Sequence, residues 1–226
     1  MPVGKAGRIG VGAIGVIALV LVLAQVFLPG IAASSITSRL RKYGRVQSVS
    51  VSAWPAVKLL WGSADSVRVR ALDLRLTPRQ SAKLVWEGRR VSSIDMTAAR
   101  AREGPLQLGE VSLRKRNDHL TAQGVASEAD VRAALPGLAV RLIGSEGGRV
   151  SVSVSGGLFG LQASVNAVAG PVDGALVARP LGLLFEGLRL TLFADPHVYV
   201  DGVGARAVTS PGGPQSYELT MSARLR

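Results

Sequence analysis

The chain has 226 residues, of which 47% are apolar and 19% charged, a balance too apolar for a disordered polyelectrolyte. It has no cysteine and two histidines, which excludes disulfides, thiolate metal sites and a histidine-rich metal cluster within one chain. The 27 Lys and Arg against 15 Asp and Glu give a formal net charge of +12, which indicates an anionic partner, either nucleic acid or a membrane surface.

The N-terminal segment is apolar and long. No charged residue occurs between Ile9 and Ser38, and Gln25 is the single polar side chain between Ile9 and Leu28. About 20 residues at ~1.5 Å each match the roughly 30 Å hydrocarbon core of a bilayer, so we predict a transmembrane anchor. Two alternatives stay open: a signal peptide cleaved near Ala33, and a buried soluble helix.

Basic residues flank this apolar segment on both sides. Lys5 and Arg8 directly precede it, whereas four basic residues between positions 39 and 45 follow at a greater distance. Because a large C-terminal domain crosses a membrane largely regardless of its charge, we expect the N-terminus inside and the body outside. The domain prediction is a cytoplasmic tip with its anchor over residues 1–30, and one extracytoplasmic domain over residues 31–226 at the plasma membrane.

Four short helices are predicted after the anchor. Each has apolar residues at helical spacing, and each is bounded by a capping residue, a proline or a glycine. The strongest signal is the capping-box pattern of Thr77 and Gln80, and a second cap stands at Ser127. The predicted ranges are Ile31–Tyr43, Trp54–Gly62, Thr77–Gly88 and Ser127–Leu135.

The rest of the body alternates apolar and polar residues with the period of a β-strand. Val150, Val152 and Val154 alternate with serines, for instance, which places the three valines on one face. Between Val67 and Leu76 the apolar residues change parity, which indicates a β-bulge that bends the sheet. We therefore predict an α+β fold, in which a long, highly curved antiparallel sheet follows the transmembrane helix and wraps around one or two helices.

Three stretches carry a resemblance to a known family. They are Leu28–Ile31 with its helix, the segment VSVSAWPAVKLLWG at 49–62 with the basic strand after it, and GGRV at 147–150 followed by VDGALVARP at 172–180. In this order they resemble the LmeA-like phospholipid-binding family of actinobacterial envelopes. The resemblance implies an extracytoplasmic protein with a fold similar to the tubular lipid-binding folds, an apolar interior for acyl chains, and lipid storage or transfer in cell-envelope biogenesis.

Apolar and basic residues of the body are the site candidates. A curved sheet with one apolar face can leave a dry groove, where each buried methylene contributes about 0.8 kcal/mol. Ordinary core packing explains the same apolar residues, and a solvated surface explains the basic ones. The groove candidates are Trp54, Leu59, Leu60, Trp61, Trp86, Leu135, Leu138 and Leu142, and the candidates for contact with a headgroup or the membrane are Arg89, Arg90, Arg114, Lys115 and Arg116.

The predicted function is binding of phospholipid or another envelope lipid at the plasma membrane, without enzymatic activity. The sequence has neither a hydrolase motif nor metal-ligand spacing, so we predict no catalytic residue, metal or cofactor. Nucleic acid is disfavoured because aromatic residues are only 4% and no recognition motif occurs. Two alternatives stay open: a non-catalytic scaffolding module of the envelope with a solid core, and an enzyme that acts on envelope glycolipids.

Overall fold

The computed structural model describes residues 24–25, 27–158, 161–182, 187–209 and 215–226. Helix α1 spans residues 27–41, and α2 and α3 span Pro78–Glu87 and Glu128–Ala134. Two 3-10 helices lie at Ala56–Trp61 and Gly88–Arg90. The strands are β1 Gly44–Ser52, β2 Ala64–Leu76, β3 Val91–Glu103, β4 Leu106–Arg116, β5 His119–Ser127, β6 Leu138–Glu146, β7 Arg149–Leu158, β8 Leu161–Val172, β9 Ala175–Pro180, β10 Leu190–Phe193, β11 Val198–Thr209 and β12 Gln215–Leu225.

The strands form two sheets rather than the single predicted one. Seven strands follow the order β1-β2-β3-β4-β5-β12-β11, and five follow the order β10-β9-β8-β7-β6. Neighbouring strands in the described residues pair antiparallel, except for β2 and β3, which pair parallel. The prediction of an antiparallel sheet is wrong at this pair because α2 connects the two strands, and a helical crossover returns the chain to the same end of the sheet.

Helices cover one face of the seven-stranded sheet. Leu40 of α1 is buried with Val67 and Val69 of β2, and Leu59 of the first 3-10 helix packs against the same cluster. Ala82 of α2 is buried against residues of β5, β11 and β12 farther along the sheet. The predicted arrangement of a sheet wrapped on helices is therefore present in this part of the molecule.

Strand β2 bends where its apolar residues change parity. Ala71 and Leu74 are both buried, at 5% and 3% exposure, although three steps separate them along the strand. The register with β1 shifts at the same place, between the partners of Ala71 and Asp73. This irregularity is the β-bulge that the sequence predicts, and it allows both halves of a long strand to face the same core.

Strand β11 joins the two sheets. The N–H of Val203 donates to the carbonyl of Gly148, and the N–H of Val200 donates to the carbonyl of Gly174, each at 2.9 Å. Both acceptors lie in turns of the five-stranded sheet, so β11 runs across the turn end of that sheet. Gly174 has a φ of +81°, and a Cβ there would lie 2.2 Å from the ring of Tyr199, so the junction requires glycine.

The predicted helices are found with changed bounds. The capping boxes of α2 and α3 both form, Thr77 with Gln80 and Ser127 with Asp130. The chain turns into β6 at Leu138, so the segment beyond α3 is a strand. Helix α1 begins before the predicted start at residue 31, and the predicted domain boundary between residues 30 and 31 lies inside it.

The predicted transmembrane segment, residues 9–28, lies mostly outside the described residues. In the part of the chain that the structure describes, no helix combines the length and the apolar composition that crossing a bilayer needs. The second half of α1 carries exposed polar residues, including Ser38 and Arg39.

Candidate lipid-binding site

One face of the five-stranded sheet is apolar across all five strands. Val140 of β6 stands opposite Val154 of β7, and Val154 stands opposite Val165 of β8. Directly opposed residues point to the same face, so these side chains form one continuous surface. We call this surface the open face, and its residues are Leu138, Val140, Leu142, Val150, Val152, Val154, Val165, Ala167, Ala169, Leu176, Ala178, Pro180 and Leu190.

The residues that the structure describes cover the open face only in part. Every one of its side chains is half-buried or exposed, and Leu138 and Leu190 at its borders are 40% and 62% exposed. The opposite face of the sheet carries polar residues such as Ser153 and Asn166, together with Val177, which is buried at 7% exposure. Antiparallel sheets normally turn the apolar face to the core and the polar face to water. In the described residues, this sheet leaves its apolar face only partly covered.

The dimensions of the open face suit an acyl chain. Four interstrand spacings give a width of about 19 Å, and five residues along β6, β7 or β8 give a length of about 13 Å, whereas β10 adds only Leu190. Because most of these side chains are already half-buried, the resulting area of about 250 Å² would contribute at most about 6 kcal/mol on being covered by hydrocarbon, at about 25 cal/mol per Å².

A cleft of about 610 Å³ lies beside β10, and none of the residues that line it belongs to the open face. Residues 77–79 at the start of α2 line one side, and residues 191–195 line the other. Phe193 of β10 also packs against Ala82 of α2, so the cleft lies where the two sheets approach each other.

Two predicted groove residues, Leu138 and Leu142, lie on the open face. Leu135, just after α3, is 42% exposed. Sequence reasoning missed the other residues of the open face, among them Val152 and Val165. The alternation of valine and serine in β7 shows that an apolar face exists, but it does not show whether another element covers it.

Two further groove candidates lie with the helices. Leu59 is half-buried in the cluster beneath α1, in agreement with ordinary core packing. Trp86 of α2 is half-buried, and its ring centroid lies 4.1 Å from that of His197. Neither residue belongs to the open face.

The last three groove candidates are exposed. Trp54, Leu60 and Trp61 lie on the connection between β1 and β2, with exposures of 72%, 67% and 65%. The alternative that the two tryptophans are core anchors is therefore wrong. None of the three belongs to the five-stranded sheet that carries the open face, so their exposure requires a different explanation.

The family of the chain follows from its sequence profile. The family model for LmeA-like phospholipid-binding proteins matches residues 22–226. The chain belongs to this family. No curated protein and no solved structure matches it. Membership in the LmeA-like family supports lipid binding, and the family is one of phospholipid-binding domains rather than a known family of enzymes.

Lys115 of this LmeA-like chain is buried, with 1% exposure. Its ammonium donates to the carbonyl oxygen of Arg89 at 3.2 Å and to that of Val91. Burial lowers the pKa of Lys115, and the negative charge of Asp118 opposes that shift. The predicted headgroup contact of Lys115 is wrong because its ammonium is enclosed and holds the chain segment that leads from α2 into β3.

The other four basic candidates are exposed. Arg116 pairs with Asp95 at 3.0 Å. Within the described ranges, Arg89, Arg90 and Arg114 have no carboxylate partner within 4.0 Å. Their charge remains available for an anionic group.

An acidic group with an altered pKa lies away from the open face. Burial raises the pKa of Glu103 at the end of β3, and a hydrogen bond with the Ser81 side chain opposes the shift. Among the residues that the structure describes, no three histidine, aspartate or glutamate side chains come together as ligands for a metal ion.

Proposed function

We propose that the chain binds phospholipid by holding acyl chains against the open face, at the outer side of the plasma membrane. The observation that carries this proposal is an apolar sheet face that the described residues cover only in part, in a chain of a phospholipid-binding family. Storage or transfer of lipid during assembly of the cell envelope is the role that such binding serves.

Hydrocarbon fits the open face by its chemistry. Apart from Ser145, which stands opposite Val150 at one end, the residues of the face are valine, alanine, leucine and proline, which offer contact area without hydrogen-bonding side chains. Contact of this kind is non-directional, so it depends on area rather than on a fixed polar arrangement. An acyl chain of a dozen methylenes would gain roughly 10 kcal/mol on full burial, and contact on one side with the open face supplies only part of this, before the cost of ordering the lipid.

The charge of the chain complements the headgroup of an anionic lipid. The formal net charge is +12, and three exposed arginines, Arg89, Arg90 and Arg114, have no acidic partner within 4.0 Å in the described residues. A basic residue close to an anionic membrane surface contributes about 1 kcal/mol. These charges support attraction to the membrane, while the open face supports retention of the lipid.

The membrane location is supported by the apolar stretch from Ile9 to Leu28, whose length matches the hydrocarbon core of a bilayer. A single-pass anchor with its N-terminus inside would hold the body at the outer surface, next to the lipid that it binds.

Photocrosslinking tests this proposal directly. The full chain is incubated with vesicles containing a phospholipid that carries a photoreactive diazirine in its acyl chain, and the labelled peptides are mapped by mass spectrometry. We expect labels on β6, β7 and β8, and competition by unlabelled phospholipid. A chain labelled only on the seven-stranded sheet, or purified without any phospholipid and left unlabelled, would contradict the proposal and favour the scaffolding role.

A further inference from the structure

The loop between β1 and β2, residues 53–63, presents large apolar side chains to solvent. We call it the Trp loop. Trp54, Leu60 and Trp61 are each exposed by 65% or more. By contrast Ala53 and Ala56, in the same loop, are buried at 2% and 1% exposure. The loop therefore has a buried side of small residues and an outer side of large ones.

Hydrogen bonds fix the backbone of the Trp loop. The side-chain amide of Gln25 donates to the carbonyl of Ala53 at 3.1 Å and accepts from the N–H of Ala56 at 2.7 Å. The N–H of Trp54 donates to a carboxylate oxygen of Asp65 at 2.5 Å, and this bond is the main reason that the pKa of Asp65 is lowered. The outward position of the large side chains is therefore built into the fold.

The apolar N-terminal run meets the body at the Trp loop. Gln25, which bonds to the loop, lies inside the uncharged run of residues 9–38. Phe27 and Ile31 of α1 follow directly, and each is 62% exposed. A bilayer that holds the preceding apolar residues must therefore come close to the Trp loop, because the chain enters the body at that point.

Basic side chains border the Trp loop. The guanidinium of Arg90 donates to the carbonyl of Trp61 at 3.2 Å, which places its charge beside the exposed ring. Arg89 precedes it and lies over the ring of Trp86, 4.3 Å from the centroid. An apolar tip with an adjacent positive charge is the composition that suits an anionic membrane surface.

We propose that the Trp loop docks on an anionic lipid bilayer, with Trp54, Leu60 and Trp61 in the interfacial layer and with Arg90 at the headgroups. Indole rings favour this layer because one part of the ring is apolar and its N–H remains hydrated. The inference rests on the proposed membrane location, but it does not require lipid on the open face. Docking would fix one orientation of the body relative to the membrane.

Quenching of tryptophan emission tests the docking. The chain has three tryptophans, so pairs of Trp→Phe substitutions give full-length variants that keep only Trp54, only Trp61 or only Trp86. Each variant is reconstituted into vesicles of phosphatidylcholine and phosphatidylglycerol, with or without bromine on the acyl chains. Only protein that floats with the vesicles is measured. Trp86 is the matched control because it is half-buried and packs on His197.

We expect brominated lipid to remove most of the emission of Trp54 and Trp61 and to leave that of Trp86 nearly unchanged. If Trp54 and Trp61 keep their emission and are instead quenched by iodide in the buffer, or if the protein does not float, the docking proposal is wrong. Loss of phospholipid from the open face is measured separately, by mass spectrometry of extracted lipid. If no phospholipid is recovered with the protein while the Trp loop still docks, the proposed function is contradicted and the docking proposal stands.

Discussion

A negative charge in the middle of the open face discriminates between a lipid-binding surface and ordinary sheet packing. Val152 of β7 stands opposite Leu142 on one side and Ala167 on the other, so it lies near the centre of the face. Its neighbour Ser153 points to the polar side of the same sheet. Val152→Asp and Ser153→Asp therefore place the same charge one residue apart, on opposite faces.

The two substitutions have different expected costs for binding but similar costs for folding. Val152 is only half-buried, so we expect Val152→Asp to lower the free energy of unfolding by about 1 kcal/mol, less than the 1.5–3 kcal/mol of a fully buried valine. An acyl chain laid over the aspartate must remove water from the carboxylate, which costs several kcal/mol. Even about 3 kcal/mol corresponds to roughly 100-fold weaker binding.

The assay is the ratio of phospholipid to protein in the full chain purified in a mild detergent, together with its thermal unfolding. We expect Val152→Asp to lose its phospholipid and Ser153→Asp to keep it, while both remain folded. Equal retention by the two variants would refute the assignment of the open face. Val152→Thr, which keeps the branched shape and adds a hydroxyl, should give an intermediate loss, and it serves as the second variant if the aspartate unfolds the sheet.

Three further predictions concern the scaffold. Gly174→Ala should lower the free energy of unfolding by about 2 kcal/mol or more, because its φ is +81° and the new Cβ would collide with the Tyr199 ring. The control is Gly147→Ala, because Gly147 also has a positive φ, +58°, but open space around it. Chemical denaturation should show a loss of only about 1 kcal/mol for this control. Because burial lowers the pKa of Lys115, the unfolded chain holds that proton to higher pH than the folded chain. The contribution of Lys115 to the free energy of unfolding therefore increases as the pH rises towards 10.5, and Lys115→Met should remove this increase in urea titrations at alkaline pH. Burial raises the pKa of Glu103, so the folded chain keeps this proton above pH 4.5, where the unfolded chain loses it. The free energy of unfolding should therefore fall as the pH rises above 4.5. Glu103→Gln should remove this fall in unfolding curves measured over the same pH range.

Local signals in the sequence predicted several elements of the fold. The capping boxes at Thr77 and Ser127 mark the starts of α2 and α3 because the cap is made by residues three positions apart. The parity change after Ala71 predicts the bulge because the alternation of a strand is itself a local property. Such features need no knowledge of what packs against them.

Features that depend on distant contacts were not predictable. The alternation in β7 shows that Val150, Val152 and Val154 share a face, and a covered face has the same pattern as an open one. Lys115 follows the parity of Leu113, so its inward direction was visible in the sequence, but the carbonyl groups that receive its ammonium come from a separate element. The division into two sheets likewise depends on a distant pairing, because β5 pairs with β12, the last strand of the chain, and β6 to β10 form the second sheet.

The apolar residues that remain exposed differ in kind between the two surfaces. The open face is aliphatic, and its valines and alanines form a smooth area that a flexible hydrocarbon chain can cover without a polar partner. The Trp loop is aromatic, and an indole ring in contact with a deeply apolar ligand would have to give up the hydration of its N–H. Aliphatic side chains therefore suit retention of an acyl chain, and tryptophans suit the boundary between lipid and water. If both surfaces contacted the same part of one partner, there would be no reason for aliphatic residues to lie on one and tryptophans on the other. We therefore assign the two surfaces to two different contacts with lipid.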